Sequence, residues 1–312
     1  MNLEQKRAIA LGFFDGVHLG HQALLRRTEE RAGERGLSPA VFTFDRSPRQ
    51  FVTGAAVPLL TTAEERQAAV EALSAIREVL VVPFDQALMT LPWVDFLLML
   101  AQKYRAGWLV AGHDFRFGHQ NAGSPALLAK KAASLGMGCD IIPAVTLEGV
   151  TVSSTHIRTL LAAGRAEEAA RFLGRPFSLE GPVLHGRGIG GARLGTPTVN
   201  LAPPPGHLVP AYGVYATRVW VGGAPCPAVT NVGVRPTVEA DGTVTVESHL
   251  LDQSAQLYGR HCRVEFLEFL RAERKFPSLE ALRRQLADDV SAARAYFHLP
   301  AAAIPGEAMP AT

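Results

Sequence analysis

The sequence predicts an α/β domain on a parallel sheet, followed by an antiparallel β-barrel domain with one C-terminal helix. Three observations carry this. In the first half, short apolar runs alternate with segments of helical spacing, the pattern of strands joined by crossover helices. After GRPF (174–177) the texture changes to β-branched, partly alternating stretches separated by Gly and Pro, which reads as antiparallel sheet. A charged segment with apolar residues at helical spacing then closes the second half.

The expected strands of the first half are AIALGF (8–13), AVFTF (40–44), EVLVVPF (78–84), WLVAG (108–112) and CDIIPA (139–144). Helices are expected over 20–36, 61–76, 92–104 and 123–136. In the first of these, Ala23, Leu24 and Ala32 form an apolar stripe opposite Arg26, Arg27, Glu29 and Glu30. Residues 153–173 read as one or two helices. The second half offers strands in VYATRVWVG (214–222), PAVTNVGV (227–234), VTVESHLLD (244–252) and CRVEFLEFL (262–270). Ser278 is placed to cap a helix whose apolar spacing runs through Leu279, Leu282, Leu286 and Val290. The expected boundary lies near residue 176, giving domains 1–176 and 177–299. The tail 300–312 lacks periodicity and is expected to be disordered.

A chain of 312 residues with 47% hydrophobic residues can bury the cores of two domains. The net charge of +2 comes from interspersed charges of both signs, so no nucleic-acid surface is expected. Cys139, Cys226 and Cys262 are odd in number and form no CxxC, which argues against a disulfide framework or a cysteine zinc site. No apolar run approaches the roughly 20 residues a membrane span needs, and the N-terminus has no signal core. The expectation is a cytoplasmic protein with no membrane association and no obligatory protein partner.

The stretch GFFDGVHLGH (12–21) joins the first strand to the first helix. Gly12, Gly16 and Gly20 allow close backbone approach. His18 and His21, three apart, fall on one side of the first helical turn. A helix start offers free N–H groups and a favourable dipole to anions, and two imidazoles add donors, so the stretch reads as a phosphate site. A histidine at a helix start is also a common cap or surface residue. Two histidines also suit a metal, but no further ligand has diagnostic spacing. In VSSTHIR (152–158), Ser153, Ser154 and Thr155 offer hydroxyls at a helix start, and Arg158 on the same side offers a phosphate fork. The same serines also read as an ordinary N-cap cluster.

HLGH after the first strand resembles the HxGH signature of the nucleotidyltransferase superfamily, and FDGVHLGH resembles the FMN adenylyltransferase module of bacterial bifunctional riboflavin kinase/FAD synthetases. GHDFRFG (112–118) is similar to that family's GxDFxFG turn, and VSSTHIR to its second phosphate segment. The resemblance implies a Rossmann-like, nucleotidyltransferase-type first domain. Its ATP site would draw on Gly12, Phe14, Asp15, Gly16, Gly20, Asp114, Ser154, Thr155 and Arg158, with His18 and His21 in catalysis.

In the second half, HGRGIGGARLGTPTVN (185–200) contains a formal GxGxxG at Gly186, Gly188 and Gly191. It does not open a helix, so the dinucleotide reading is rejected in favour of a glycine loop over phosphates, with Gly186, Gly188 and Gly195 as its candidates. PTVN (197–200) resembles the PTxN motif of riboflavin kinases, which implies Mg²⁺ and ATP phosphate on Thr198 and Asn200, although an isolated PTxN reads as a turn whose Asn pairs with backbone. GVYA, NVGVRPT, VESHLLD, LYG and LRAERKF follow in the family's order. Glu247 matches the glutamate credited there with deprotonating the riboflavin 5′-hydroxyl.

The resemblance thus implies phosphorylation of riboflavin to FMN by ATP, then adenylylation of FMN to FAD with release of pyrophosphate. The chain departs from the family in several places. FDRSP (44–48) puts Arg46 and Ser47 where a Pro-His pair is common near the nucleotide. His113 replaces a frequent acid, Thr196 a frequent aromatic and Gln253 a common Phe. An alternative is therefore a riboflavin kinase whose adenylyltransferase half is weakened or altered, with Arg46 as a replacement phosphate contact. A non-catalytic flavin or nucleotide sensor is the rival from another class, disfavoured because a binder has no need of Glu247.

Overall fold

A computed structural model of the chain describes residues 5–184, 198–234, 244–252 and 259–300. The chain divides into two compact units. One comprises Met1–Arg158, Phe172–Gly174 and Gly206–Leu208; the other comprises Thr159–Arg171, Arg175–Pro205 and Val209–Thr312.

The first unit holds β1 (Arg7–Leu11), α1 (Leu19–Arg35), β2 (Ser38–Phe44), α2 (Pro48–Thr53), α3 (Ala63–Leu73), β3 (Glu78–Val82), α4 (Gln86–Met89), α5 (Trp93–Gln102), β4 (Ala106–Gly112), α6 (Pro125–Ser134) and β5 (Gly138–Ile142). A small hairpin, β6 (Thr146–Leu147) and β7 (Val150–Thr151), precedes α7 (Ser154–Ala162), which this unit holds up to Arg158; the rest of α7, and α8 (Ala166–Leu173) up to Arg171, count with the second unit. The five main strands pair in parallel in the order β3-β2-β1-β4-β5. Order reverses between β1 and β4, so a crevice opens at their carboxyl ends, where α/β sheets bind ligands.

Both sheet faces are buried because successive side chains point opposite ways. Ala10 faces Leu24 and Leu25 of α1 and Val70 of α3. Ile9 and Leu11 face Phe96, Leu97 and Leu100 of α5 and Leu128 of α6. Each such Leu or Phe contributes about 1.5–3 kcal/mol through burial.

The second unit holds β8 (Phe177–Pro182), β9 (Thr198–Leu201), β10 (Gly213–Val221), β11 (Ala224–Val234), β12 (Val244–Leu250), β13 (His261–Ala272) and α9 (Leu279–Tyr296). Its strands pair antiparallel in the order β8-β13-β10-β11-β12-β9. A bridge between Leu184 and Asn200 brings the two edges together, with Leu184 N donating to Asn200 O at 2.8 Å. Closure of this kind removes exposed strand edges. Inside, Thr217, Thr230 and Ser248 are buried and joined through their hydroxyls: Thr217 Oγ1 lies 2.5 Å from Thr230 Oγ1, which donates to Ser248 Oγ at 2.8 Å. Outside, α9 covers Val214, Ala216 and Val229 with Ala293 and Val290.

The α/β and antiparallel classes agree with the sequence reading, and Ser278 does cap α9, accepting from Ala281 N at 3.1 Å. The buried positions of α9 differ from the expectation. Leu279 is 57% exposed, whereas Asp289 and Arg294 are buried. Asp289 takes a two-pronged pair from Arg271 at 2.7 and 2.6 Å, and Arg294 reaches Asp252 at 2.7 Å, so ion pairs dock this helix alongside its apolar stripe. The expected tail falls almost wholly outside the described residues, which end at Pro300.

Burial pushes the Cys139 thiol up to about 12 and Cys262 up to about 11, and raises Cys226. The folded protein should therefore react with Ellman's reagent far more slowly than a free thiol at about pH 8, and all three cysteines should titrate after denaturation. A thiol that reacts at the free rate before unfolding would contradict this burial.

Candidate functional site

The loop between β1 and α1 turns sharply. Phe14, Gly16 and Val17 all have positive φ, at 58°, 80° and 41°. Strain of this kind in non-glycine residues persists only where the surroundings hold it. Phe14 is wholly buried and joins the core, so its side chain is packing, with its ring 5.1 Å from that of His21.

His18 is the N-cap of α1: its Nδ1 accepts from His21 N at 3.3 Å. An accepting Nδ1 carries no hydrogen, so in the neutral ring Nε2 is the donor. The two imidazoles stack with centroids 3.7 Å apart and planes 13° apart. Gly20 makes this possible, because a Cβ there would lie 3.1 Å from His18 Cε1 and 3.2 Å from Nδ1. The spacing His-x-Gly-His is thus a packing rule: the glycine clears the volume that the first ring occupies. Helix starts also leave amides without intrahelical partners, which adds donors beside the two rings.

Asp15 is only 2% exposed. Its Oδ1 accepts from Leu60 N at 2.8 Å and Thr61 N at 3.1 Å, and its Oδ2 from Arg158 Nη2 at 2.7 Å. Burial pushes its carboxyl up from the usual range, against the opposing pull of Arg158 and the two amides. Arg158 Nε is also engaged, donating to Pro58 O at 2.8 Å. Ser154 Oγ donates to Asp15 O at 2.9 Å, and Ser153 Oγ accepts from His156 N at the start of α7. Two helix starts, those of α1 and α7, are therefore tied to one loop.

This places the predicted residues in distinct jobs. Gly12, Phe14, Asp15, Gly16, His18, Gly20, His21, Ser154 and Arg158 come together, but Asp15 and Arg158 face each other. The side chain of Asp15 is fully engaged in holding the loop, and two nitrogens of Arg158 are engaged with protein oxygens rather than open as a fork. Thr155 is exposed on α7. Asp114 lies past the carboxyl end of β4 with an 83% exposed side chain, 4.0 Å from His113.

Three features went unread in the sequence. Arg66 of α3 is 1% exposed, donates to Phe44 O at 2.6 Å and lies 4.5 Å over the Phe13 ring. Burial lowers its pKa, opposed by the charges of Asp15, Glu64 and Asp45. A cavity of about 520 Å³ opens past β2 and β4, lined by Phe44, Phe84, Phe96, Phe115 and Phe117, with Arg49 and Arg116 among its walls. The FDRSP departure builds one of those walls. Ser47 caps α2, accepting from Gln50 N at 3.3 Å, and Pro48 occupies its first turn. Arg46 is turned to the surface beside Asp45 and 5.9 Å over Phe51.

In the second unit, register assembles the second set. Asn200 of β9 lies opposite Glu247 of β12, which lies opposite Asn231 of β11. Thr198, two residues from Asn200, shares that face by alternation. The neighbouring Val199, Val246 and Ser248 point into the barrel and are buried. Thr198 Oγ1 is buried with no hydrogen-bond partner among the described residues. An oxygen of this kind can take an ordered water or an ion. Gly186, Gly188 and Gly195 lie outside the described residues, as do Thr196 and Gln253.

If Asp15 anchors the loop as described, Asp15→Ala leaves Arg158 and two amides unsatisfied. Urea unfolding should then show a loss of about 3 kcal/mol or more, and Arg158→Met added to it should recover part of that loss. A variant within about 0.5 kcal/mol of the parent would refute the anchoring role.

Comparison with known proteins places these features in context. A family model described as FAD synthetase matches residues 1–156, and one described as riboflavin kinase matches residues 173–297. The chain is 41% identical over 286 residues to the bifunctional riboflavin kinase/FMN adenylyltransferase of Pseudomonas fluorescens, covering 91% of each. It is 38% identical over 296 residues to that of Escherichia coli (strain K12), covering 93% of each. A crystal structure described as a macrolide-efflux protein from Streptococcus pneumoniae matches with a TM-score of 0.84 at 28% identity, over 94% of this chain and 95% of that one. Among the described residues of this chain, no helix is long and apolar enough to cross a membrane. With both family models matched in order and relatives this similar over nearly its whole length, the chain belongs to the family of bifunctional riboflavin kinase/FMN adenylyltransferases.

Proposed function

We propose that this chain makes FAD from riboflavin in two ATP-dependent steps, one in each unit. The observation that supports the reading best is the tie of two helix starts, with two stacked histidines, to one loop at the carboxyl end of the parallel sheet.

In the barrel unit, Glu247 accepts the proton of the riboflavin 5′-hydroxyl as its oxygen attacks the γ-phosphorus of ATP, giving FMN and ADP. A positioned general base of this kind contributes about 10²–10⁴-fold. Thr198 and Asn200 are the residues that would hold Mg²⁺, and the buried Thr198 Oγ1, without a partner among the described residues, suits an oxygen-seeking cation. When bound, Mg²⁺ supplies charge neutralisation on the transferring phosphoryl group.

In the α/β unit, an FMN phosphate oxygen attacks the α-phosphorus of a second ATP, the bond to pyrophosphate breaks, and FAD forms. The attacking phosphate is already ionised, so the protein supplies positioning and donors. His18 donates from Nε2, and His21 and the amides of the first turn of α1 join it. Thr155 and the exposed Asp114 lie where nucleotide contacts are expected. The 520 Å³ aromatic cavity takes the flavin ring, whose flat apolar faces match phenylalanine side chains, with Arg49 and Arg116 available to anionic groups. The intact α2 wall favours a complete adenylyltransferase over a weakened one. We place both reactions in the cytoplasm, where ATP is supplied and free thiols persist.

His21→Ala should abolish FAD formation from FMN and ATP while FMN formation from riboflavin continues. Glu247→Gln should do the reverse when FMN is supplied. Separation of the flavins by chromatography after incubation with MgATP reads both outcomes. A folded single variant that loses both activities would refute the assignment of one reaction to each unit.

A further inference from the structure

Gly206–Leu208 follow β9 in the sequence, yet they count with the first unit. His207 forms a parallel bridge with Leu59, flanked by hydrogen bonds from Leu59 N to Gly206 O at 2.9 Å and from Leu208 N to Leu59 O at 2.7 Å. Its side chain has no exposed surface. Nε2 lies 2.8 Å from Glu65 Oε2, and Nδ1 lies 3.1 Å from Leu208 O. Beside an ionised Glu65 both partners are acceptors, an arrangement that a doubly protonated ring satisfies. Burial pulls its pKa down, but the hydrogen bond and charge of Glu65, aided by Leu208 O and the charge of Asp15, hold it above the ordinary value.

Glu65 has a second task. The same Oε2 accepts from Thr62 N at 2.8 Å, and Thr62 Oγ1 accepts from Glu65 N at 3.2 Å, which closes the capping box that starts α3. Thr62 directly follows Leu60 and Thr61, whose amides grip Asp15. Thr61 Oγ1 also accepts from Gly16 N at 3.0 Å, inside the loop that presents His18 and His21. Residues 59–62 are thus held on one side by His207 and Glu65, and on the other they hold the loop. For packing alone a leucine would serve at position 207, since a buried ion pair carries a desolvation cost that an apolar side chain does not.

We propose that His207 is a positioning residue for FAD formation, fixing residues 59–62 through Glu65 so that their amides keep Asp15 and the histidine loop in place. The proposal rests on the adenylyltransferase reading of the first unit. His207 does not touch the reacting groups; it acts through segments that do the positioning.

The test uses the full-length chain. His207→Leu removes both donors at similar volume. The kcat for FAD formation from FMN and ATP should fall about tenfold or more, with a smaller change in the KM for ATP. FMN formation from riboflavin, measured on the same preparation, should stay within about twofold. His207→Gln keeps a donor toward Glu65 and should recover most of the lost kcat. FAD formation by His207→Leu within about twofold of the parent would overturn the proposal. So would a parallel fall in both activities, or a glutamine variant no better than the leucine one. A parent chain that makes FMN but no FAD would instead sink the adenylyltransferase reading, and the proposal with it.

Discussion

The Asp15 carboxylate lies buried at the turn between β1 and α1, where the amides of Leu60 and Thr61 and the guanidinium of Arg158 converge on it. A buried charge stays ionised only when donors surround it, so these groups must keep their places for the turn to exist. Three separate stretches of chain meet there: the β1–α1 loop, the segment before α3, and α7. The positive φ values of Phe14 and Val17 persist because this convergence leaves the loop no cheaper arrangement. The helix starts of α1 and α7 are brought together as a consequence.

The two units meet the same chemical demand by different means. In the parallel unit, the proposed phosphate donors come from helix ends and a stacked imidazole pair, whose geometry follows from a cap and one glycine. In the antiparallel unit, the proposed groups come from strand register: Asn200, Glu247 and Asn231 form a row across three neighbouring strands. A slip of one residue in β9 would carry Thr198 and Asn200 into the barrel interior. The hydroxyl-linked Thr217, Thr230 and Ser248 inside the barrel fix the register of β10, β11 and β12, since a slip among those strands would cost each hydroxyl its buried partner.

The alternation of apolar runs and helical spacing made the parallel sheet legible, because strands buried on both faces read as continuous apolar runs. β8 and β9 were not read as strands. They are short, and β9 begins within PTVN, a motif that in isolation reads as a turn; pairing with β12 makes Thr198–Leu201 a strand. The α2 helix carried a readable signal in Ser47 and Pro48, a cap followed by proline in the first turn. The aromatic cavity carried almost none. Its phenylalanines stretch from Phe44 to Phe117, and each reads alone as ordinary core.

Local pattern by itself determined the two sheet types, the cap at Ser278 and the order of the polar motifs, since periodicity, capping and turn chemistry act between near neighbours. Tertiary structure alone decided what Arg158 faces, that Thr198 Oγ1 is buried without a hydrogen-bond partner among the described residues, and that His207 belongs with Glu65. Those outcomes depend on contacts between residues up to 143 positions apart, as in Arg158 with Asp15. The identity of a side chain says what it can bond, but only the packing of the backbone says which partner comes within about 3 Å.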